Sequence, residues 1–171
     1  PSASPFNAFL LQLGIETLSL RMRQHVANAR EIVKFLSEHP QVATVHYAEL
    51  PESPWRAAAA TYLPQGAGAV FSFELHGGYE AGKRFIGALR LFSHIANIGD
   101  VRSLAIQPAT TTHSPLAESE RDASGITAGL IRLSVGIEDA RDLIADLSAA
   151  LDAAHTDAIA RDTRKEAHAT A

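Results

Sequence analysis

The sequence predicts an α/β fold of two layers, in which a small sheet is covered on one face by helices. One observation is that helix-like and strand-like segments alternate along the chain, in the order helix, strand, helix, strand, helix, strand, strand, helix. A second is that the 171 residues, 46% of them hydrophobic, are enough for one domain with a real core.

The first predicted element is a helix over residues 4–38. Ser4 suits the N-cap and Pro5 the first helical position, and His39-Pro40 ends the pattern. At ~1.5 Å per residue such a helix is roughly 50 Å long, whereas a domain of this size is only ~30–35 Å across. We therefore expect it to bend near Gly14 and to pack its first turns on something outside this chain.

The clearest strand is predicted at residues 68–75, where Phe71 and Phe73 alternate with Ser72 and Glu74. Residues 99–116 are expected to be mostly loop, and the tail from His155 is expected to fray. The other predicted elements are strands at 42–46, 91–98 and 130–135 and helices at 55–62, 79–89 and 138–153.

Composition excludes several classes of function. The net charge of −4 gives no case for nucleic acid or an anionic membrane. The absence of cysteine excludes disulfides, thiolate metal sites and cysteine nucleophiles, and it fits a reducing, cytoplasmic location. The eight histidines lack metal-ligand spacing, so no metal site is expected. No apolar run reaches the ~20 residues that span a bilayer and no signal peptide is seen. Because the chain does not open on Met, we expect a fragment or a processed product.

An arginine stands in the middle of the predicted strand 130–135. Alternation places Ile131 and Leu133 on the buried face and Arg132 with Ser134 on the other. A guanidinium amid apolar neighbours needs an anionic partner, and its geometry suits a carboxylate. Two hypotheses stay open: a clamp for a ligand carboxylate, or a structural ion pair within this chain.

A second stretch with polar residues covers 97–104 and contains a turn at Gly99 and Asp100. Ser103 lies there on a loop leading into an apolar segment, where its hydroxyl or backbone amide could serve a ligand. The alternative is an ordinary turn with a capping serine.

A dense run of hydrogen-bonding side chains follows Pro108, with three threonines, a histidine and a serine in a row at residues 110–114. Loops of this kind often line binding sites. The alternative is a surface turn whose hydroxyls bond their own backbone.

Together these stretches resemble the Cys/Met-metabolism enzymes that depend on pyridoxal phosphate (PLP), a family that includes cystathionine synthases and lyases, methionine γ-lyase and the homoserine sulfhydrylases. Residues 4–22 are similar to the segment where that family's large domain leads into its small domain, and residues 130–139 are similar to its closing motif. The resemblance covers residues 4–153. Residues 4–9, Ser-Pro-Phe-Asn-Ala-Phe, are most similar to the O-acetylhomoserine sulfhydrylase branch.

The resemblance implies the C-terminal small domain of the aspartate-aminotransferase-like (type I) PLP fold. It divides the chain into a linking helix at 1–38, the small domain at 39–154 and a polar tail at 155–171. It implies that Arg132 binds the substrate α-carboxylate and that Ser103 lies beside the substrate carboxylate and amino group. Thr112 and His113 would line the small-domain side of the cleft. Relatives usually have His at the position of Gln107, which keeps hydrogen bonding but cannot be a cation.

The resemblance also implies where the cofactor would be held. PLP forms a Schiff base with a lysine, and in the family that lysine lies in the large domain. The lysines of this chain, Lys34, Lys83 and Lys165, do not match that motif. We therefore expect this chain to contain neither catalytic nor cofactor-binding residues and to be inactive alone.

For the whole enzyme, the resemblance implies conversion of O-acetylhomoserine and sulfide to homocysteine and acetate, in a homo-oligomer. Alternatives are part of a methionine γ-lyase, part of a cystathionine γ-synthase or lyase, or a non-catalytic interaction module.

Overall fold

A computed structural model describes the backbone of residues 2–169 and the side chains of residues 2–155. Within those residues the chain forms a five-stranded sheet packed against helices, which confirms the predicted α/β class. The helices are α1 (Pro5–Glu16), α2 (Leu18–Ser37), α3 (Arg56–Tyr62), α4 (Gly78–Ala88), α5 (Glu118–Ala123) and α6 (Ala140–Ala169), and the strands are β1 (Val42–His46), β2 (Val70–Leu75), β3 (Ser93–His94), β4 (Leu104–Ile106) and β5 (Leu130–Ser134).

The sheet has the strand order β1-β2-β5-β4-β3. Its first four strands in this order pair antiparallel, and β3 pairs parallel with β4. β5 therefore lies at the centre, and four of its five residues are buried, Arg132 being the exception.

The core lies between one face of this sheet and the helices α2, α4 and α6. The predicted alternation of β2 is confirmed, because Phe71, Phe73 and Leu75 are buried while Ser72 and Glu74 are partly exposed. Phe73 packs edge-on against Phe85 of α4, with 5.6 Å between the ring centroids. The opposite face carries the polar side chains of β2 and β5.

The predicted helix over residues 4–38 is two helices that meet at Thr17. Ser4 is confirmed as the N-cap, because its side chain accepts a hydrogen bond from Asn7 N. The break comes three residues after Gly14, where the bend was predicted. Arg21 spans it, donating to the Gly14 carbonyl at 3.0 Å and to the Thr17 hydroxyl.

Other boundaries differ from the prediction. The strand predicted at 91–98 is reduced to Ser93–His94, and Leu104–Ile106 is a strand where a loop was expected. α5 was not predicted. α6 continues to Ala169, so its predicted end at Ala153 is wrong. None of the helices that the structure describes combines the length and the apolar character needed to cross a membrane.

Candidate functional site

Arg132 lies on the open face of the sheet, at its centre. Its register partners are Ser72 on β2 and Ile106 on β4. One guanidinium nitrogen, Nη2, donates to the Asn97 carbonyl oxygen at 3.2 Å. The ion pairs found within the described residues do not include Arg132. The structural ion pair that the sequence left open is thus not formed in this part of the chain, and the remaining donors of the guanidinium are available to an anion.

Asn97 belongs to the segment between β3 and β4, which folds back over the open face. Gly99 N donates to the Ser134 hydroxyl at 3.3 Å, which fixes this segment beside β5. Sequence reasoning did not predict this role of Asn97, because it contacts Arg132 through its backbone oxygen and any residue type offers that atom.

Ser103 is fully buried at the end of the same segment. Its hydroxyl donates to Glu138 Oε2 at 2.9 Å and accepts from Gly136 N at 2.8 Å. Its backbone N donates to Glu138 Oε1 at 2.7 Å. Ser103 therefore connects its own segment to residues 136–138, and its hydrogen bonds within the described residues do not include Arg132. A direct contact of Ser103 with substrate stays a prediction.

Thr112 and His113 lie beyond the short 3₁₀ turn Pro108–Thr110 that follows β4. The Thr112 hydroxyl lies 2.8 Å from His113 Nδ1, and His113 N donates to the Pro108 carbonyl. The hydrogen bonds of the described residues join these two side chains to each other and not to Arg132. Their predicted place in a cleft stays a prediction.

Gln107 is a packing residue in this chain. Its side chain is fully buried, and Nε2 donates to the carbonyls of Tyr79 at 3.0 Å and Ala128 at 2.9 Å. A Cβ at Gly82 would lie 2.4 Å from that nitrogen, so α4 can approach only because residue 82 is glycine. Gln107 therefore connects α4 to the segment that leads into β5 through uncharged hydrogen bonds.

Two carboxylates of these loops, Asp100 and Asp139, are already engaged by arginines of their own segments. A hydrogen bond from Arg102 lowers the pKa of Asp100, and one from Arg141 lowers the pKa of Asp139 to about 2. Both carboxylates are therefore ionised and paired at neutral pH. Neither competes for Arg132, which is consistent with an external carboxylate as its partner.

The described lysines do not fit a site for a covalently held cofactor beside Arg132. Lys34 and Lys83 are exposed and belong to α2 and α4, which form the helical layer on the far side of the sheet. Lys83 Nζ lies 5.7 Å from the ring centroid of Tyr79. The side chain of Lys165 lies outside the described residues. No group of acidic or histidine side chains within the described part could hold a metal ion.

Comparison with known proteins identifies the family. Residues 1–152 match the model of the Cys/Met metabolism PLP-dependent enzymes. The chain is 50% identical over 147 residues to O-acetyl-L-homoserine sulfhydrylase 1 of Thermus thermophilus, covering 86% of this chain and 35% of that protein. It is 48% identical over 150 residues to L-methionine gamma-lyase of Pseudomonas putida, covering 88% and 37%.

A solved structure agrees. A Campylobacter jejuni protein described as an O-acetylhomoserine (thiol)-lyase, which carries a pyridoxyl-lysine phosphate group, matches with a TM-score of 0.82 and 41% identity, over 88% of this chain and 36% of that one. The chain spans about one third of the length of the curated relatives it matches. It belongs to the Cys/Met metabolism PLP-dependent enzyme family.

Proposed function

We propose that this chain is the substrate-carboxylate-binding, C-terminal part of an O-acetylhomoserine sulfhydrylase. The observation that carries the proposal is Arg132, a partly buried residue on the central strand of the sheet. Within the described residues its guanidinium has a backbone carbonyl as partner but no carboxylate. The relatives that are O-acetylhomoserine sulfhydrylases support the choice of substrate.

In the whole enzyme, sulfide would displace acetate from the γ-carbon of O-acetyl-L-homoserine, so that a carbon–sulfur bond replaces the carbon–oxygen bond and homocysteine is formed. PLP supplies the electron sink for such chemistry, and the part of the protein beyond this chain would hold it. Arg132 would bind and orient the amino-acid substrate through its α-carboxylate, which positions the reacting carbon. Ser103, Thr112 and His113 are proposed as further residues on this side of the cleft.

We also propose a homo-oligomer located in the cytoplasm. The apolar side chains of α1 support association, since α1 has no buried residue in this structure and large exposed apolar patches mark interaction surfaces. The same observation supports the alternative that the chain acts as a non-catalytic interaction module.

A second candidate function is that of a lyase acting on methionine. The 48% identity to the Pseudomonas putida enzyme is close to the 50% found with the Thermus thermophilus enzyme, and a carboxylate clamp serves both substrates equally. Turnover of O-acetylhomoserine with sulfide, compared with release of methanethiol from methionine by the full-length protein, decides between them.

The clamp is tested by substituting Arg132 in the full-length protein. Arg132→Ala removes a charge-assisted pair, so KM for O-acetylhomoserine should rise about 100-fold, while Arg132→Lys should recover part of the loss. Arg141→Ala removes an exposed arginine whose partner is Asp139 and should leave KM unchanged. An unchanged KM in Arg132→Ala would contradict the proposed function.

A further inference from the structure

The chain turns sharply after β5, and this corner (residues 135–138) is held from one side by α2. His25 Nδ1 donates to the Val135 carbonyl at 2.6 Å. Asn28 Nδ2 donates to the carbonyls of Gly136 at 3.0 Å and Glu138 at 2.7 Å. Both α2 side chains are buried, where hydrogen bonds are strong and unpaired polar groups are costly.

The other side of the corner is held by the segment that covers the open face. Glu138 accepts hydrogen bonds from the backbone N and the hydroxyl of Ser103, and Ile137 N donates to the Val101 carbonyl at 2.9 Å. The corner is thus hydrogen-bonded to α2 and to the segment that carries Asn97.

The corner and the 97–103 segment are in close contact around Gly136. A Cβ at Gly136 would lie 2.2 Å from Glu138 Oε2 and 2.4 Å from the Val101 carbonyl oxygen. A shift of α2 therefore has to move the corner, and a shift of the corner has to move the 97–103 segment, because close-packed groups do not deform independently.

This connection ends at the carboxylate clamp. The 97–103 segment presents the Asn97 carbonyl to Arg132 Nη2, and Arg132 itself lies on the strand that leads into the corner. The position of α2 and the orientation of the guanidinium are thereby coupled through residues that do not contact Arg132.

We propose that Asn28 and Glu138 are positioning residues, which set the orientation of Arg132 and the Asn97 carbonyl for carboxylate binding by linking them to α2. This inference rests on the proposed function. It adds that contacts with α2 hold Arg132 in its binding orientation. A small displacement of the guanidinium therefore lowers the affinity for the substrate carboxylate.

The experiment uses the full-length protein loaded with its cofactor. Glu138→Ala and Asn28→Ala should each raise KM for O-acetylhomoserine about tenfold with kcat nearly unchanged, and the absorbance of the bound cofactor should stay as in the wild type. Glu138→Gln keeps an acceptor for Ser103 N and should recover most of the wild-type KM. Asp139→Asn, which alters the neighbouring exposed carboxylate, should leave KM unchanged.

Melting temperatures show whether a raised KM comes from a misplaced Arg132 or from partial unfolding of the variant. All assays are run below the melting temperature of each variant, and if one alanine variant does not fold, the other and the Glu138→Gln variant decide. Folded alanine variants with wild-type KM, or a Glu138→Gln variant as impaired as Glu138→Ala, would overturn the inference. If Arg132→Ala also leaves KM unchanged, the proposed function fails rather than the coupling alone.

Discussion

Gly136 is the residue of the candidate site where space is tightest. In Gly136→Ala the new methyl group meets a side-chain oxygen and also the Val101 backbone oxygen at 2.4 Å, so backbone has to shift. We expect the free energy of unfolding to fall by about 1–3 kcal/mol, measured by urea denaturation of this chain.

Gly87 provides the matched control. It lies in α4 with no atom within 4 Å of an added Cβ, and Gly87→Ala should stabilise by about 0.5–1 kcal/mol because alanine favours helix. Equal free energies of unfolding for wild type and Gly136→Ala would contradict the prediction, because residues 135–138 would then accommodate the methyl group at no cost.

Glu49 makes stability depend on pH. It accepts two hydrogen bonds from Arg30, at 2.6 and 3.0 Å, and one from Ala67 N at 2.7 Å. The Arg30 hydrogen bond is the main cause that lowers the pKa of Glu49. A lowered folded-state pKa gives stability that is fully present above the unfolded value of about 4.3 and is lost as pH falls through the folded value.

The stability difference between wild type and Glu49→Gln should therefore shrink as pH is lowered from about 6 to about 3, in chemical denaturation at several pH values. Glu52→Gln, at an exposed carboxylate, should show no such trend. A difference for Glu49→Gln that stays constant over this range would exclude the ion pair as its cause.

Single residues also show what the sequence can reveal about a site. Arg132 could be placed on the open face because side chains alternate along a strand. The partner of Ser103 could not be found, because Glu138 lies on a different segment and only the fold brings the two together. Asn97 lies in the stretch 97–104 that the sequence singled out, but its role could not be predicted, since its contribution is a backbone carbonyl.

Among the elements, α1 is rich in large apolar side chains, with few polar ones, and it buries none of its residues. A helix of this kind is normally covered on all sides. The exposed side chains include Phe6, Phe9, Leu10, Leu11, Leu13 and Ile15.

This chain should therefore self-associate in isolation. Replacing Phe9, Leu10 and Leu13 together with Gln should reduce the mass measured by light scattering. The melting temperature should stay the same, because these side chains are exposed. Control substitutions to Gln at Arg23, Glu31 and Lys34, exposed residues of α2, should not reduce the mass. If the α1 variant associates as strongly as the control, another surface is responsible.

The elements that the sequence predicts well are those with a clear period. The alternation of β2 predicts both the strand and its buried face. In α6, Leu143, Leu147 and Leu151 recur at helical spacing and are all buried. β4 was missed because its three residues are all buried and so show no alternation, and α5 because it buries no residue. Gly14 indicated the break between α1 and α2 only approximately, because the helix ends three residues later, at Thr17, which is neither Pro nor Gly.

At the scale of the whole molecule, we propose that this chain binds the substrate carboxylate while another part of the protein holds PLP. This arrangement predicts a difference in visible absorbance between this chain and the full-length protein. This chain mixed with PLP and dialysed should lack the visible absorbance band of a lysine-bound cofactor, because Lys34 and Lys83 are exposed and on the far side of the sheet from Arg132. The full-length protein, treated in the same way, should show the band. A band in this chain that survives dialysis and shifts with O-acetylhomoserine would mean that a lysine of this chain holds PLP.

The strand order has a consequence for how the protein is made. β5 is the last strand of the chain that the structure describes, yet it lies between β2 and β4, and α6 follows it. During translation, β2 and β4 are therefore synthesised before β5, the strand that pairs with both of them. Until β5 leaves the ribosome, the apolar residues Phe71 and Phe73 lack their partners Leu133 and Ile131. During that interval a chaperone would meet unprotected apolar surface of this domain.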